Sequence, residues 1–307
     1  MIPVDFSPDG DMIGIKAFDS GVTWMTSAIK VASFNLRHDS PLGACSRVRS
    51  WKARRELAAR MIRDSGAAII GVQEMMPAMK EDILSRLRGY SVFGSGRTKK
   101  LLGEHSAILV RGEKAEARFS DTFWLSKHPE KSGSRAYFSA FPRICTVCEV
   151  YVEEWQRTVR VFNTHLDHIC APARTLSVRI ILEYMHRLNK KEKLPTILMG
   201  DMNARPGSKP IRILAENQHN YPDIHLTNIF SSPRAEEAGN TYHGFKGKRK
   251  GAPIDYIFVS EEFEVDRAYV DTSSENGLYP SDHYPLMAVL RLKEEASAAP
   301  AAVSQAG

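Results

Sequence analysis

The chain has only four cysteines in 307 residues, Cys45, Cys145, Cys148 and Cys170. That is too few to staple a domain of this size. Cys145 and Cys148 form a lone C-x-x-C, and no second Cys or His pair stands at the spacing a zinc site needs. Val147 and Val150 beside them point to a strand, where an offset of three sends the two thiols to opposite faces. Buried, inert thiols are the expectation. No uninterrupted apolar run of about 18 residues exists, so no membrane-spanning helix is expected. The opening MIPVDFSPDGDMIGIKAFDSG has acidic residues where a secretion signal has basic ones, and it lacks a continuous apolar stretch. A reducing, cytoplasmic setting follows as an expectation. Charge excess is also small: 42 Lys plus Arg against 36 Asp plus Glu, a net +6. This permits an anionic partner without requiring one. Apolar (43%) and charged (25%) fractions near globular averages exclude a wholly disordered, collagenous or coiled-coil chain.

Residues 1–28 are rich in Gly, Asp, Ser and Pro and show no sustained period, so they are expected to be a loose, disordered extension. Met25, just ahead of the first strong strand, is a candidate biological start. Residues 294–307 are Ala-, Ser- and Pro-rich and are expected to be a disordered tail. Between them, residues 29–293 alternate strand-like and helix-like segments. Strands are predicted at 30–34, 67–73, 105–111, 144–152, 158–164, 196–200, 254–259 and 286–292. Helices are predicted at 51–63, with the stripe Trp51, Leu57, Ala58, Met61 and Ile62, and at 76–87, with Met76, Met79, Ile83, Leu84 and Leu87. A third, at 174–188, presents Leu176, Ile180, Ile181, Tyr184 and Leu188.

Polar residues able to do chemistry recur just past the apolar runs: Asn35, Glu74, His165, Asp167, Asp201, Asn203, Asp255, Asp282 and His283. Alone, each reads as a turn former or cap. In a layered fold, strand ends at one edge converge on a common site. The nine carry carboxylate, amide or imidazole groups, and none is a Ser or Cys nucleophile.

In LMGDMNARP (198–206), an unbroken strand period would point Asp201 and Asn203 one way and Met202 into the core. A carboxylate beside an amide can hold a water and stabilise a developing oxyanion. Gly200 would let another group approach the backbone. In FNTHLDHI (162–169), the same period aligns Asn163, His165 and Asp167. The segment brushes against H-x-H-x-D-H, but Asn163 stands where that zinc pattern needs its first His. Glu74 is a candidate ligand for a hard cation, or alternatively the first-turn Glu of the following helix. Asp255 and the pair Asp282-His283, bracketed by Pro280 and Pro285, read as an Asp holding a His as general base, or as a turn.

Taken together, SFNLR, GVQE, NTHLDH, GDMN, IDYIFVS and SDH resemble, in order and in strand-end context, the motifs of the endonuclease/exonuclease/phosphatase superfamily. Further pieces (GEHSAI, TFWLS, PRICT, TYHGFKG) look like a bacterial branch of it. The resemblance covers residues 29–293. It implies an α/β (α+β) fold, a DNase I-like four-layer α/β/β/α sandwich of two packed mixed β-sheets. It also implies phosphoester hydrolysis with Mg²⁺ or Mn²⁺. Carried over by position, Glu74 is the principal metal ligand, with Asn35 and Asp282 close to the metal. Asp201 and Asn203 position water and phosphate, His165 donates to a phosphoryl oxygen, and Asp255 orients His283 as the base. Arg37 stands where abasic-site endonucleases carry an acidic residue, which argues against that subgroup. Glu104 is expected either to take part of that acidic role or to bind substrate, and Arg143 to meet a phosphate, the alternative being an ordinary surface Arg.

For the substrate, basic clusters occur at 97–100 (RTKK) and 246–250 (KGKRK). The second lies just upstream of Asp255, with Tyr242 and Phe245 nearby to stack on a base or sugar. A phosphodiester, nucleic acid included, is the leading expectation. A deadenylase-type exoribonuclease and a phosphomonoesterase of sugar or inositol phosphates are the alternatives.

Overall fold

The computed structural model describes residues 27–39 and 49–293. The expected extension up to residue 26, the Met25 start, Cys45 and the tail from 294 all lie outside the described residues. In chain order the elements are β1 (Ile29–Asn35), α1 (Trp51–Ser65), β2 (Ile69–Met75), α2 (Pro77–Arg86), β3 (Tyr90–Phe93), β4 (His105–Arg111), β5 (Ala115–Trp124) and β6 (Ile144–Val152). They continue as β7 (Arg157–His165), α3 (Ala171–Asn189), β8 (Thr196–Asp201), α4 (Lys209–Ala215), β9 (Leu226–Asn228), β10 (Asp255–Ser260), β11 (Phe263–Val270) and β12 (Leu286–Leu292).

Among the described residues the strands form two six-stranded sheets, ordered β11-β12-β1-β2-β4-β3 and β5-β6-β7-β8-β10-β9. Each is mixed, with one parallel pair: β1 with β2, and β7 with β8. Parallel neighbours need a crossover, which α1 and α3 supply. Three apolar layers hold the stack. Val31, Ile69 and Ile108 meet Val161, Met199 and Ile257 between the sheets. Ala58, Ile62, Met79 and Ile83 cover the outer face of the first sheet against Phe34, Val72 and Leu109. Val178, Ile181 and Tyr184 cover the second against Phe162, Leu198 and Phe258. The result is the four-layer α/β/β/α sandwich. Cys148 packs in the inter-sheet layer and Cys145 in the outer one, on opposite faces as their spacing requires.

Helix faces differ from the expected stripes in detail. α3 buries Ala173, Ser177, Val178, Leu182 and Met185 beside Ile181 and Tyr184, while Leu176, Ile180 and Leu188 sit at its margins. Apolar residues flank both sides of that line, so hydropathy alone misplaces its centre by about one residue. In α1, Arg54 and Ala59 join Trp51, Ala58 and Ile62 in the buried face, and Leu57 and Met61 lie beside it. In α2, Leu84 is exposed because Met79, Ile83 and Leu87 already fill the contact with the sheet.

Candidate active site

The chemically able residues meet at one edge of the sandwich, where the two parallel pairs end. Asn35 closes β1 beside Gln73 of β2. In the second sheet, Asp201 at the end of β8 is flanked in register by His165 of β7 and Asp255 of β10. The loop leading into β12 brings Ser281, Asp282 and His283.

Glu74 lies in β2, so it is not a first-turn helix residue. The β2–β4 register slips between Val72 and Met75, and Glu74 has a φ of 57°. A bulge of this kind re-aims a side chain, and a Glu in the left-handed region carries strain that the surroundings must hold. Gln73 turns between the sheets to Ser33 and Asn163, and Glu74 turns to the site. Asn35 Nδ2 donates to Glu74 Oε1 at 3.2 Å and to Asp201 Oδ2 at 3.1 Å, joining the two sheets. His38 grips the other Glu74 oxygen with its backbone N–H (3.1 Å) and its ring Nδ1 (2.7 Å). Burial opposes ionisation of Glu74. The His38 hydrogen bond and the positive charges of His38 and Arg37 outweigh it, and the carboxyl stays well below the usual range.

Arg37 lies 3.6 Å from Glu74 and 3.4 Å from Asp282, so one guanidinium serves two carboxylates. Arg54, fully buried, donates to the carbonyls of Leu36, Arg37 and Pro280. It thereby ties the loop after β1 to the loop before β12. Ser281 Oγ adds a 2.6 Å bond to the Asn35 carbonyl.

His283 Nδ1 donates to Asp255 Oδ2 at 2.9 Å, leaving Nε2 at 3.8 Å from Asp201. Burial disfavours the imidazolium, but the charge and hydrogen bond of Asp255, with Asp201 and Asp282, push its pKa up to about 10. Asp201 is raised to about 7 by burial and by the charge of Asp255. His165, with Nε2 3.6 Å from Asp201, is held well below its ordinary value by burial and by Arg143. It is therefore a neutral ring among charges.

Two period-two expectations end early. β8 stops at Asp201. Met202 is buried in the outer core as expected, but Asn203 has a φ of 45° and its N–H closes a turn on Asp201 Oδ1 at 2.9 Å. Its amide nitrogen reaches the Leu166 carbonyl. Asp167 likewise lies past β7 and caps the N–H groups of Ile169 and Cys170. Asn163 bonds Val72, Ala107 and Gln73 across the inter-sheet space.

Glu104 comes within 3.9 Å of both His38 and His165 and is paired two-pronged with Arg97, at 2.6 and 2.8 Å. Arg143 is buried and bonds His168 at 2.9 Å. Tyr242 is half exposed, its ring 5.0 Å from that of His283. Phe245 packs against the guanidinium groups of Arg49 and Arg54. Sequence patterns do not single out His38, although it adjoins SFNLR; they present Arg97 only as a member of the basic cluster 97–100 and Ser281 only as the first residue of SDH.

The donors suit a hard divalent cation. Glu74 and Asp282 offer oxygens around one shared positive charge, that of Arg37. Among the described residues Asp201, Asp255 and His283 also lie close enough together to hold an ion. There, however, one Asp255 oxygen and one His283 nitrogen already satisfy each other. The Glu74–Asp282 side offers carboxylate oxygens alone, the donor type a hard divalent cation prefers.

The fold is shared with solved structures. An endonuclease/exonuclease/phosphatase family protein from Bacteroides thetaiotaomicron is 30% identical, with a TM-score of 0.79 over 87% of this chain and 96% of that one. A mannosyl-6-phosphatase from the same organism is also 30% identical, with a TM-score of 0.77 over 85% and 99%. D. rerio TDP2 complexed with a single-strand DNA product is 16% identical (TM-score 0.62, over 86% and 99%) and shares the fold. No functionally curated protein sequence matches. The Endonuclease/Exonuclease/phosphatase family model matches residues 32–283. The chain therefore belongs to the endonuclease/exonuclease/phosphatase family, and it is a hydrolase acting on phosphoesters.

Proposed function

We propose that this chain hydrolyses a compact phosphoester of the sugar-phosphate class, using water as nucleophile and Mg²⁺ or Mn²⁺ as cofactor. The observation that carries the chemistry is the Asn35 amide bridging Glu74 and Asp201 across the two sheets. That bridge puts a cation ligand and a water-holding carboxylate at one point. Glu74 and Asp282, with Asn35 beside them, would hold the cation. When bound, it would neutralise phosphoryl charge and offset the carboxylates that keep a proton on His283. In this reading Asp201 and the turn at Asn203 hold the attacking water. His283, fixed by Asp255, takes its proton. Neutral His165 donates to a phosphoryl oxygen.

Two observations support a phosphomonoester of a sugar. The mannosyl-6-phosphatase is 30% identical and aligns over 99% of its own length. Arg143 is also buried close to His165, a cationic donor that suits a dianionic terminal phosphate. The phosphodiester reading, a nuclease or deadenylase-type exonuclease, keeps one specific support. Lys246, Lys248 and Lys250 are exposed on the loop that also bears Tyr242, beside His283. A cytoplasmic, reducing setting belongs to the proposal and is supported by the buried free thiols of Cys145 and Cys148.

The test is hydrolysis by the purified protein with Mg²⁺ or Mn²⁺, read as phosphate release from hexose and inositol phosphates, as chain cleavage of oligonucleotides and as p-nitrophenol release from bis-p-nitrophenyl phosphate. Hexose phosphates are expected to give the highest kcat/KM, and EDTA to abolish turnover. Preference for oligonucleotides, with KM rising steeply with salt, would favour the second reading. Activity that survives EDTA contradicts both.

A further inference from the structure

We infer that Arg97, Glu104 and Phe141 form a subsite that recognises the hydroxyls of the substrate's sugar ring, an inference that rests on the sugar-phosphate reading above. Glu104 is an anomaly in a phosphate site. It is a buried carboxylate within 3.9 Å of His165, where an incoming phosphate makes a bare negative charge costly. Its charge is cancelled by Arg97 in a two-pronged pair at 2.6 and 2.8 Å, so the unit is neutral overall. A neutral pair adds little to phosphate binding. It does present an acceptor and a fork of donors side by side, the complement of a ring bearing several hydroxyls.

The pair is held rigidly before any ligand arrives. The Arg97 N–H donates to the Glu104 carbonyl at 3.0 Å, and Trp124 Nε1 donates to the Arg97 carbonyl at 2.8 Å. Gly96 and Thr98 close the same hairpin on Leu101 and Leu102. The Arg97 guanidinium lies 4.7 Å from the centre of the Phe141 ring, which is about half in solvent. A half-exposed aromatic ring beside a carboxylate–guanidinium pair offers the apolar C–H face of a sugar a place to lie while its hydroxyls reach the charges. Glu104 borders the catalytic cluster, within 3.9 Å of His165 and of His38. A ring seated here would be joined directly to a phosphate at that cluster.

A site built to hydrogen-bond a substrate hydroxyl penalises the substrate that lacks it. The test therefore compares kcat/KM for hexose 6-phosphates, their monodeoxy analogues and p-nitrophenyl phosphate, whose leaving group has no such hydroxyls. The proteins are the wild type, Arg97→Gln, Glu104→Gln and Phe141→Ala, each with its melting temperature. The ratio of hexose 6-phosphate to p-nitrophenyl phosphate turnover is expected to fall about 30-fold in Arg97→Gln and Glu104→Gln. It should fall less in Phe141→Ala, whose exposed ring can be removed without unfolding the chain. At least one monodeoxy analogue should be rejected by the wild type and accepted by Glu104→Gln. Losses equal on both substrates, or a raised Mg²⁺ requirement in Glu104→Gln with an unchanged ratio, would overturn the subsite while leaving the sugar-phosphate reading intact. A wild type that cleaves p-nitrophenyl phosphate but no hexose phosphate would instead remove that reading, and the subsite with it.

Discussion

His283 donates through Nδ1 to Asp255 at 2.9 Å across the join between the two sheets. Asp255 opens β10 of one sheet, and His283 leads into β12 of the other. The bond fixes the ring's tautomer and aims Nε2 at Asp201. Removing the ring in His283→Ala should lower kcat by about 10²–10⁴-fold, the usual worth of a positioned acid or base. Asp255→Asn keeps the ring but loses its charge partner, and should cost less. Phosphate release at saturating Mg²⁺ checks both, and an unchanged kcat in His283→Ala would remove it from the chemistry.

The same bond has a pH signature. In the chelator-treated protein His283 should titrate near pH 10, because Asp255, Asp201 and Asp282 overcome the penalty of burial. The folded pKa lies above the ordinary 6.5, so the imidazolium's contribution to stability is complete below pH 6.5. It is lost as pH rises through about 10. Mg²⁺ should displace the ring titration to lower pH and release protons at pH 8. Imidazole NMR reads the first effect and unbuffered pH measurement the second. A metal-free ring titrating near 6.5, or one indifferent to Mg²⁺, contradicts the arrangement.

Arg37 shares its charge between Glu74 and Asp282, the two carboxylates assigned to the cation. Its side chain is 37% exposed, so solvent screens it in part. Arg37→Met should tighten Mn²⁺ binding by about 3–10-fold, because a competing positive charge is removed. Electron paramagnetic resonance of free Mn²⁺ gives the constant directly. Weaker binding in the variant would place the ion elsewhere.

Gly200 has a φ of 143°, and a Cβ there would meet the Thr164 carbonyl oxygen at 1.9 Å. The strand end carrying Asp201 therefore lies against β7 only because residue 200 has no side chain. Gly200→Ala should lose about 2–4 kcal/mol, from overpacking plus the backbone conformation. A denaturant midpoint equal to wild type would show that this approach is not needed.

How much of this was legible depends on where apolar signal ends. Asn35, Glu74, His165, Asp201 and Asp255 each lie at or near an end of a largely buried strand, and His283 stands just ahead of another, so an apolar run announces each of them. The strands that sequence patterning missed, β3, β5, β9 and β11, are the four sheet edges. Edge strands are half solvated, and AEARFSDTFW and FEVDRAYV accordingly read as mixed segments. α4 is only seven residues long, too short for a helical period to stand out. Along the sequence Arg97 is one member of the basic cluster 97–100. Its role depends on Glu104 across a hairpin, a pairing that no local pattern records. The turn at Asn203 was hidden for the opposite reason: the alternation of Asp201, Met202 and Asn203 looks intact until the backbone reverses.

The central claim, that these side chains gather around one hard cation, is tested most directly by anomalous diffraction from a crystal soaked in Mn²⁺. The expected result is a manganese peak bonded to a Glu74 carboxylate oxygen, with Asp282 on the same ion and His283 facing it across Asp201. A peak bonded to Asp255 and His283 alone, or none at Glu74 in a crystal of active protein, would contradict the account.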